Sequence, residues 1–157
     1  RKTKLYSTRK TAPGLRFFDK EAIMIGGGHK HRMSLNDMVM IKDNHLLVSN
    51  SMEDIIKNAR KRHKHVEVEV ENQRDAVLAV NSGATIVMLD NFSPVQIKKT
   101  ITTLQKKKLR NKVKLEASGG INSKNIAAYA KTGVDMISVG SITNSVNSLD
   151  LSLEVIV

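Results

Sequence analysis

Two kinds of apolar pattern alternate along this sequence, and the alternation limits the folds that it can adopt. Short runs rich in β-branched residues are separated by longer stretches with helical periodicity. The clearest strand is residues 66–71, where valine and glutamate alternate strictly, so that the valines face one way and the glutamates the other. Parallel strands need long crossovers, which helices usually supply. The sequence therefore predicts an α/β fold with a parallel sheet.

Helix-start and helix-stop signals divide the rest of the chain into short elements. Ser51, with Asp54 three residues later, marks one helix start, and Ser93 before Pro94 opens a helix to about residue 108. The predicted strands are residues 39–41, 66–71, 85–89, 113–117 and 136–139, and the other predicted helices are residues 75–81, closed by Gly83, and 123–132, closed by Gly133. A last apolar stretch, residues 149–157, closes the chain.

Polar residues cluster where the predicted strands end. They are Arg9 and Lys10, residues 42–45, residues 69–72, Asp90 and Asn91, residues 118–120, and Gly140 and Ser141. Barrels of βα units build their active sites at this face, with residues from many strands. A Rossmann fold is excluded because Gly26-Gly27-Gly28 is not G-x-G-x-x-G and follows no clear strand. With about six strands rather than eight, we predict one domain over residues 1–157, a parallel βα barrel that is open or incomplete.

Composition narrows the class of function. The absence of cysteine excludes disulfides, thiolate nucleophiles and zinc fingers and predicts a reducing compartment, the cytoplasm. The sequence contains no run of 18 apolar residues, so no membrane span is predicted. A net charge of +11 predicts an anionic partner, yet only 3% of residues are aromatic, which disfavours a reader of single-stranded nucleic acid. The basic runs 57–64 and 98–114 fall on or beside predicted helices, so we expect them to be solvated surface.

Four cations fall in loops or at strand ends rather than on helix faces: Arg9, Lys10, Arg32 and Lys42. Arginine pairs bidentately with carboxylate or phosphate, and lysine supplies a compact positive charge. The set therefore predicts a site for an anion such as a dicarboxylate. The alternative is that a basic chain carries cations everywhere, and for each residue singly that alternative stays open.

Two carboxylates, Glu69 and Asp90, end successive strands and are expected to meet at the mouth of the barrel. Magnesium takes oxygen ligands and is commonly shared between one or two carboxylates and substrate phosphates. We therefore predict Mg²⁺ here. The alternatives are a carboxylate pair for glycoside hydrolysis, which leaves the cations without a role, and a structural ion pair.

Glycine turns follow the last two predicted strands, in Ser118-Gly119-Gly120 and Val139-Gly140-Ser141. Glycine lets backbone N–H groups approach an anion closely, so both turns are candidate phosphate sites, although tight loop geometry explains either turn equally well. In His29-Lys30-His31 a lysine separates the imidazoles and no cysteine is available. We therefore expect a hydrogen-bond donor there rather than a metal site.

Several longer motifs resemble one enzyme family in order and spacing. They are residues 8–14, Thr8-Arg9-Lys10-Thr11-Ala12-Pro13-Gly14; residues 26–32, from the triple glycine to His31-Arg32; residues 41–45, Ile41-Lys42-Asp43-Asn44-His45; residues 67–71; residues 89–91; residues 116–120; and residues 133–140. Together they cover essentially the whole chain. The sequence is similar to the C-terminal catalytic domain of quinolinate phosphoribosyltransferase, also called nicotinate-nucleotide pyrophosphorylase (carboxylating).

The resemblance implies a magnesium-dependent transfer of phosphoribose from phosphoribosyl pyrophosphate to quinolinate, which yields nicotinate mononucleotide, pyrophosphate and CO2 in NAD biosynthesis. It implies roles for individual residues. Arg9, His31, Arg32 and Lys42 would grip the quinolinate carboxylates, with Thr8 beside them; Lys10 would lie near the diphosphate; Glu69 and Asp90 would engage the ribose and its Mg²⁺, directly or indirectly; and Ser118, Gly119, Gly120, Val139, Gly140 and Ser141 would hold the 5-phosphate. Lys10, Glu69 and Asp90 are thus the candidate catalytic residues.

The resemblance also has departures and rivals. The family's N-terminal domain is absent from this chain, and in the family that domain of a partner subunit caps the site and donates an arginine, which implies at least a homodimer. Lys30, Asn144 and Ser7 stand where many members carry Asn, His and Asp. Alternative functions are a phosphoribosyltransferase for nicotinate, a catalytically incomplete fragment or assembly domain, and a basic nucleic-acid-binding module, which the composition disfavours.

Overall fold

The computed structural model describes residues 2–49 and 51–156. The strands are β1 (Lys4–Ser7), β2 (Val39–Ile41), β3 (Val66–Val70), β4 (Ile86–Asp90), β5 (Lys114–Ser118) and β6 (Met136–Val139). The helices are α1 (Arg16–Ile25), α2 (Asp43–Leu47), α3 (Met52–Arg62), α4 (Gln73–Asn81), α5 (Pro94–Lys106), α6 (Ile126–Ala130) and α7 (Ser141–Asn144), with a 3-10 turn at Arg110–Lys112. No helix within these ranges has the length and apolar character needed to span a membrane.

All six strands belong to one parallel sheet in the order β1-β6-β5-β4-β3-β2. One cavity is lined by side chains from every strand, including Ser7 on β1, Met40 on β2 and Ser138 on β6. A flat sheet of six strands would separate its outer strands by about 24 Å, too far to share one cavity. The sheet is therefore curled, and because β1 and β2 do not pair within the described ranges, the barrel is open. The predicted fold is confirmed.

The hydrophobic core lies between the outer face of the sheet and the helices. Val66, Val68 and Val87 are fully buried there, together with Ile56 of α3 and Ile97 of α5. The glutamates that alternate with these valines face the barrel interior instead, as the pattern in β3 predicts. Burial of the outer face thus fixes which side chains reach the cavity.

Side-chain capping sets the helix starts. The Ser51 hydroxyl accepts a hydrogen bond from the Asp54 amide at 3.2 Å, and Ser93 forms a capping box with Gln96. Both predicted starts are confirmed. The helix predicted over residues 123–132 is wrong at its start, because the Asn122 side chain accepts from the Lys124 amide and so holds a turn before α6 begins.

The predicted apolar stretch at the end of the chain does not join the core. Residues 146–156 have no regular secondary structure, and Leu149, Leu151, Leu153 and Val155 are each more than 80% exposed. Val157 lies outside the described residues.

Candidate active site

A cavity of about 430 Å³ opens at the carboxyl ends of the strands. Nine of the predicted site residues line it: Thr8, Arg9, Lys10, His31, Arg32, Lys42, Glu69, Asp90 and Ser118. Parallel strands deliver their carboxyl ends to one edge, which is why residues up to 110 positions apart in sequence meet here. Five lysine and arginine side chains against three carboxylates give the cavity a positive balance that suits an anionic ligand.

A second cleft of about 440 Å³ adjoins the first and shares Thr8, Lys10, Asp90, Ser118 and Ser138 with it. Its own lining consists mainly of the glycine turns: Gly119, Gly120, Gly140 and Ser141. Val139, the remaining predicted residue of this group, lines neither cavity; its side chain is 2% exposed and belongs to the core.

Backbone contacts hold the basic side chains in place. Arg32 donates to the Met38 carbonyl at 3.3 Å, and Arg16 donates to the Arg9 carbonyl at 3.4 Å. Arg9 differs, because its buried Nε has no hydrogen-bond partner in the described part of the chain. A buried donor without a partner is costly. The Arg9 guanidinium is therefore a donor that a bound anion would satisfy.

The two predicted metal-binding carboxylates lie on neighbouring strands. Lys42 Nζ contacts Glu69 Oε2, and the Asn91 amide donates to Asp90 at 2.7 Å. Partial burial raises the pKa of Asp90, and the negative charge of Glu69 raises it further. A carboxylate destabilised by a neighbouring carboxylate is stabilised by a divalent cation, so the pair fits Mg²⁺ chemically.

A buried ionic cluster lies behind the cations. His31 Nε2 is 3.1 Å from Glu116 Oε2 and 3.4 Å from Glu67 Oε2. Burial opposes the charged form of His31, but the Glu116 and Glu67 carboxylates beside its ring outweigh burial and raise the pKa of His31 to about 9. Burial and the charge of Glu116 raise the pKa of Glu67. The contacts with the two carboxylates and the raised pKa thus favour the imidazolium form of His31.

Sequence reasoning missed several residues of the cavity wall. Arg16 begins α1 and carries no strand-end signal, and Met40 and Met88 resemble ordinary core residues. Glu67 and Glu116 follow from strand alternation, which places them on the same face as Glu69 and Ser118. What alternation does not reveal is that the curled sheet brings both carboxylates onto one imidazole.

The structure shows the contacts of the three residues that depart from the pattern of the resembled family. Lys30 contacts Glu21 of α1, and Asn144 lines the second cleft. Ser7 is fully buried and donates to the Lys30 carbonyl at 3.2 Å. An aspartate at position 7 would have no proton to donate to this carbonyl. Ser7 therefore suits the present loop geometry.

Comparison with known proteins identifies the family. Residues 1–154 match the family described as "Quinolinate phosphoribosyl transferase, C-terminal domain". The chain belongs to this family. A probable nicotinate-nucleotide pyrophosphorylase [carboxylating] from Methanothermobacter thermautotrophicus is 50% identical over 155 residues, which cover 97% of this chain and 56% of the relative. The human nicotinate-nucleotide pyrophosphorylase [carboxylating] is 39% identical, over 94% of this chain and 50% of its own length.

A solved structure of the nicotinate-nucleotide pyrophosphorylase from Francisella tularensis gives the same result for the fold. It is 45% identical and superimposes with a TM-score of 0.87, covering 96% of this chain and 52% of that chain. The resemblance seen in the sequence motifs is thereby confirmed. This chain of the quinolinate phosphoribosyltransferase family spans about half the length of the relatives that it matches.

Proposed function

We propose that this chain carries the active site for transfer of phosphoribose from phosphoribosyl pyrophosphate to quinolinate, with loss of CO2. The observation that supports the proposal best is that one cavity combines basic side chains with the Glu69 and Asp90 carboxylates and adjoins a cleft of glycine turns. The basic side chains suit a dicarboxylate, the two carboxylates suit a metal-bound ribose diphosphate, and the glycine turns suit a phosphate monoester.

In this proposal the anionic groups divide between the two cavities. Arg9, Arg32 and Lys42 bind the quinolinate carboxylates, and the turns around Gly119 and Gly140 accept the 5-phosphate. Lys10 and Ser118 line both cavities, so they stand where the two substrates meet. Holding both reactants in one orientation converts a bimolecular reaction into an effectively unimolecular one.

The reaction then needs two bond changes. The pyridine nitrogen forms a bond to the anomeric carbon as the bond from that carbon to the pyrophosphate oxygen breaks, and pyrophosphate departs with the electron pair. Lys10 stabilises the charge that develops on the leaving group. Mg²⁺, held by Glu69 and Asp90, would neutralise part of the diphosphate charge. The now positive ring nitrogen favours loss of the C2 carboxylate as CO2, and the electron pair left on the ring carbon takes up a proton.

We also propose that the active form is at least a homodimer in which a partner subunit's N-terminal domain covers the cavity. Phe17, Phe18 and Ile25 of α1 support this, because they are 58%, 65% and 87% exposed. An apolar patch of this kind on a folded domain is typical of a covered surface. Light scattering of this chain joined to a family N-terminal domain, with and without Phe17→Ser and Phe18→Ser, tests this. The two substitutions should convert a dimer to a monomer, and a joined protein that is monomeric without them contradicts the proposal.

The proposed activity is tested by measuring pyrophosphate release with quinolinate, phosphoribosyl pyrophosphate and MgCl2. Asp90→Asn should lower release by at least about tenfold because it removes one carboxylate of the metal pair. Asp150→Asn, at an exposed position in the tail, is the matched control and should leave release unchanged. Release that proceeds equally well in Asp90→Asn, or with nicotinate in place of quinolinate, contradicts the proposal.

A further inference from the structure

Two fully buried carboxylates face the same imidazole. Glu67 on β3 and Glu116 on β5 are both 0% exposed, and His31 reaches them from the loop between α1 and β2. The donor atoms of the three side chains lie within 4.8 Å of one another. Strand β4 separates the two carboxylates in the sheet, so they converge only because the sheet is curled.

These carboxylates depend on His31. Glu67 Oε1 and Oε2 and Glu116 Oε1 are buried without a hydrogen bond in the described part of the chain, which leaves the ring of His31 as the cation in direct contact with both. An unpaired buried carboxylate is strongly destabilising. Both side chains therefore favour the protonated form of His31.

The backbone and neighbouring ring fix where that imidazolium lies. The His31 backbone is in the left-handed region, with φ of 55°. The preceding carbonyl, of Lys30, accepts hydrogen bonds from the Ser7 hydroxyl and from the buried Lys20 Nζ. Tyr6 contacts the ring edge-on, with centroids 5.8 Å apart. The ring is thus held from several sides while it lines the active-site cavity.

One ring nitrogen remains for a ligand. Nε2 is directed at the two carboxylates, whereas Nδ1 has no hydrogen bond to any described residue. Both nitrogens of an imidazolium carry a proton, so Nδ1 is a charged donor. Neutral imidazole with its proton on Nε2 would instead offer a lone pair at Nδ1, which repels a carboxylate.

The family resemblance implies that His31 contacts a carboxylate of the acceptor substrate. We propose that Glu67 and Glu116 are positioning residues that hold His31 as an imidazolium, so that a charged N–H at Nδ1 makes this contact. The identity of that carboxylate rests on the proposed function, while the charge state of His31 does not. Both glutamate side chains are fully buried. Their effect passes entirely through the orientation and charge of His31.

The charge state is tested by ¹⁵N NMR of the histidine rings in the ligand-free chain at pH 7.5, with His31→Asn used to assign the signal. Two protonated ring nitrogens are expected for His31 in the unaltered chain. Glu116→Gln and Glu67→Gln should each increase the neutral fraction, whereas Glu116→Asp should retain the charge. Glu53→Gln, at an exposed position of α3, is the control. A neutral His31 in the unaltered chain overturns the proposal, even if every variant fails to fold.

The consequence for binding is tested by calorimetry. Glu116→Gln should bind quinolinate about tenfold more weakly, since a charge-assisted hydrogen bond is lost, with rescue by Glu116→Asp. Affinity for phosphoribosyl pyrophosphate should stay within about twofold, which separates this role from a general loss of structure. Equal weakening for both substrates overturns the positioning role. If the unaltered chain binds no quinolinate, the proposed function fails instead, and the NMR result alone decides the charge state of His31.

Discussion

Replacing Gly119 by alanine should damage the anion cleft far more than the same change at its neighbour. Gly119 has φ of 91°, and an added Cβ would lie 2.2 Å from Asn91 Oδ1 and 2.7 Å from the Asn91 backbone nitrogen. Gly120 also has a positive φ, 61°, but an added Cβ there meets nothing within 4 Å. The two positions therefore separate backbone strain from steric overlap.

The expected magnitudes follow from this difference. Alanine in a left-handed conformation costs about 1–2 kcal/mol, and Gly120→Ala should destabilise the fold by that amount. Gly119→Ala carries the same strain and must in addition displace the Asn91 backbone, an overpacking cost of about 1–3 kcal/mol. Its total should be about 2–5 kcal/mol. The displacement also moves the turn that carries Asp90.

Urea titration gives the free energies of unfolding, and calorimetry with phosphoribosyl pyrophosphate gives the effect on the cleft. Gly119→Ala should lose affinity even under conditions where it is fully folded, and Gly120→Ala should lose less. If the free energies of unfolding of the two variants agree within about 0.5 kcal/mol, the close approach to Asn91 has no energetic consequence and the prediction is wrong.

Three further predictions concern single groups. Arg110→Met should lower the free energy of unfolding in urea by about 1–3 kcal/mol, because it removes the guanidinium that donates to the Val113 and Gly133 carbonyls, while exposed Lys112→Met should change little. The pKa of His31 is about 9 in the folded state and near 6.5 in the unfolded state, so the folded state binds the extra proton. The free energy of unfolding should therefore fall by about 1–2 kcal/mol from pH 6.5 to 8. A free energy of unfolding that rises over this range would contradict the prediction. Arg9→Ala should weaken quinolinate binding at least about tenfold in calorimetry, with exposed Lys57→Ala as control, and unchanged affinity would remove Arg9 from the site.

Local rules account for the elements that the sequence predicted well. The alternation in β3 follows from burial of one sheet face, and Ser51 and Ser93 are caps whose hydrogen bonds involve residues only three positions away. Residues at strand ends could be assigned to one site because every parallel strand points the same way. These arguments need the topology class but no tertiary contacts.

The remaining features depend on contacts that no local pattern encodes. The cluster of His31 with Glu67 and Glu116 requires the curvature of the sheet, and the position of Arg16 at the cavity depends on the course of the loop between β1 and α1. Helix α6 begins at Ile126 rather than at residue 123, because the Asn122 side chain competes with the helical backbone for the amide of Lys124. The open barrel was predictable only because too few strands were present to close it.

Isothermal calorimetry of this chain with quinolinate, in parallel with nicotinate at moderate salt, measures whether the cavity selects a dicarboxylate. The two ligands differ by one carboxylate, and the cavity presents more basic side chains than one carboxylate needs. We expect a clear preference for quinolinate. Equal affinity for the two ligands, or no binding of quinolinate, would contradict it.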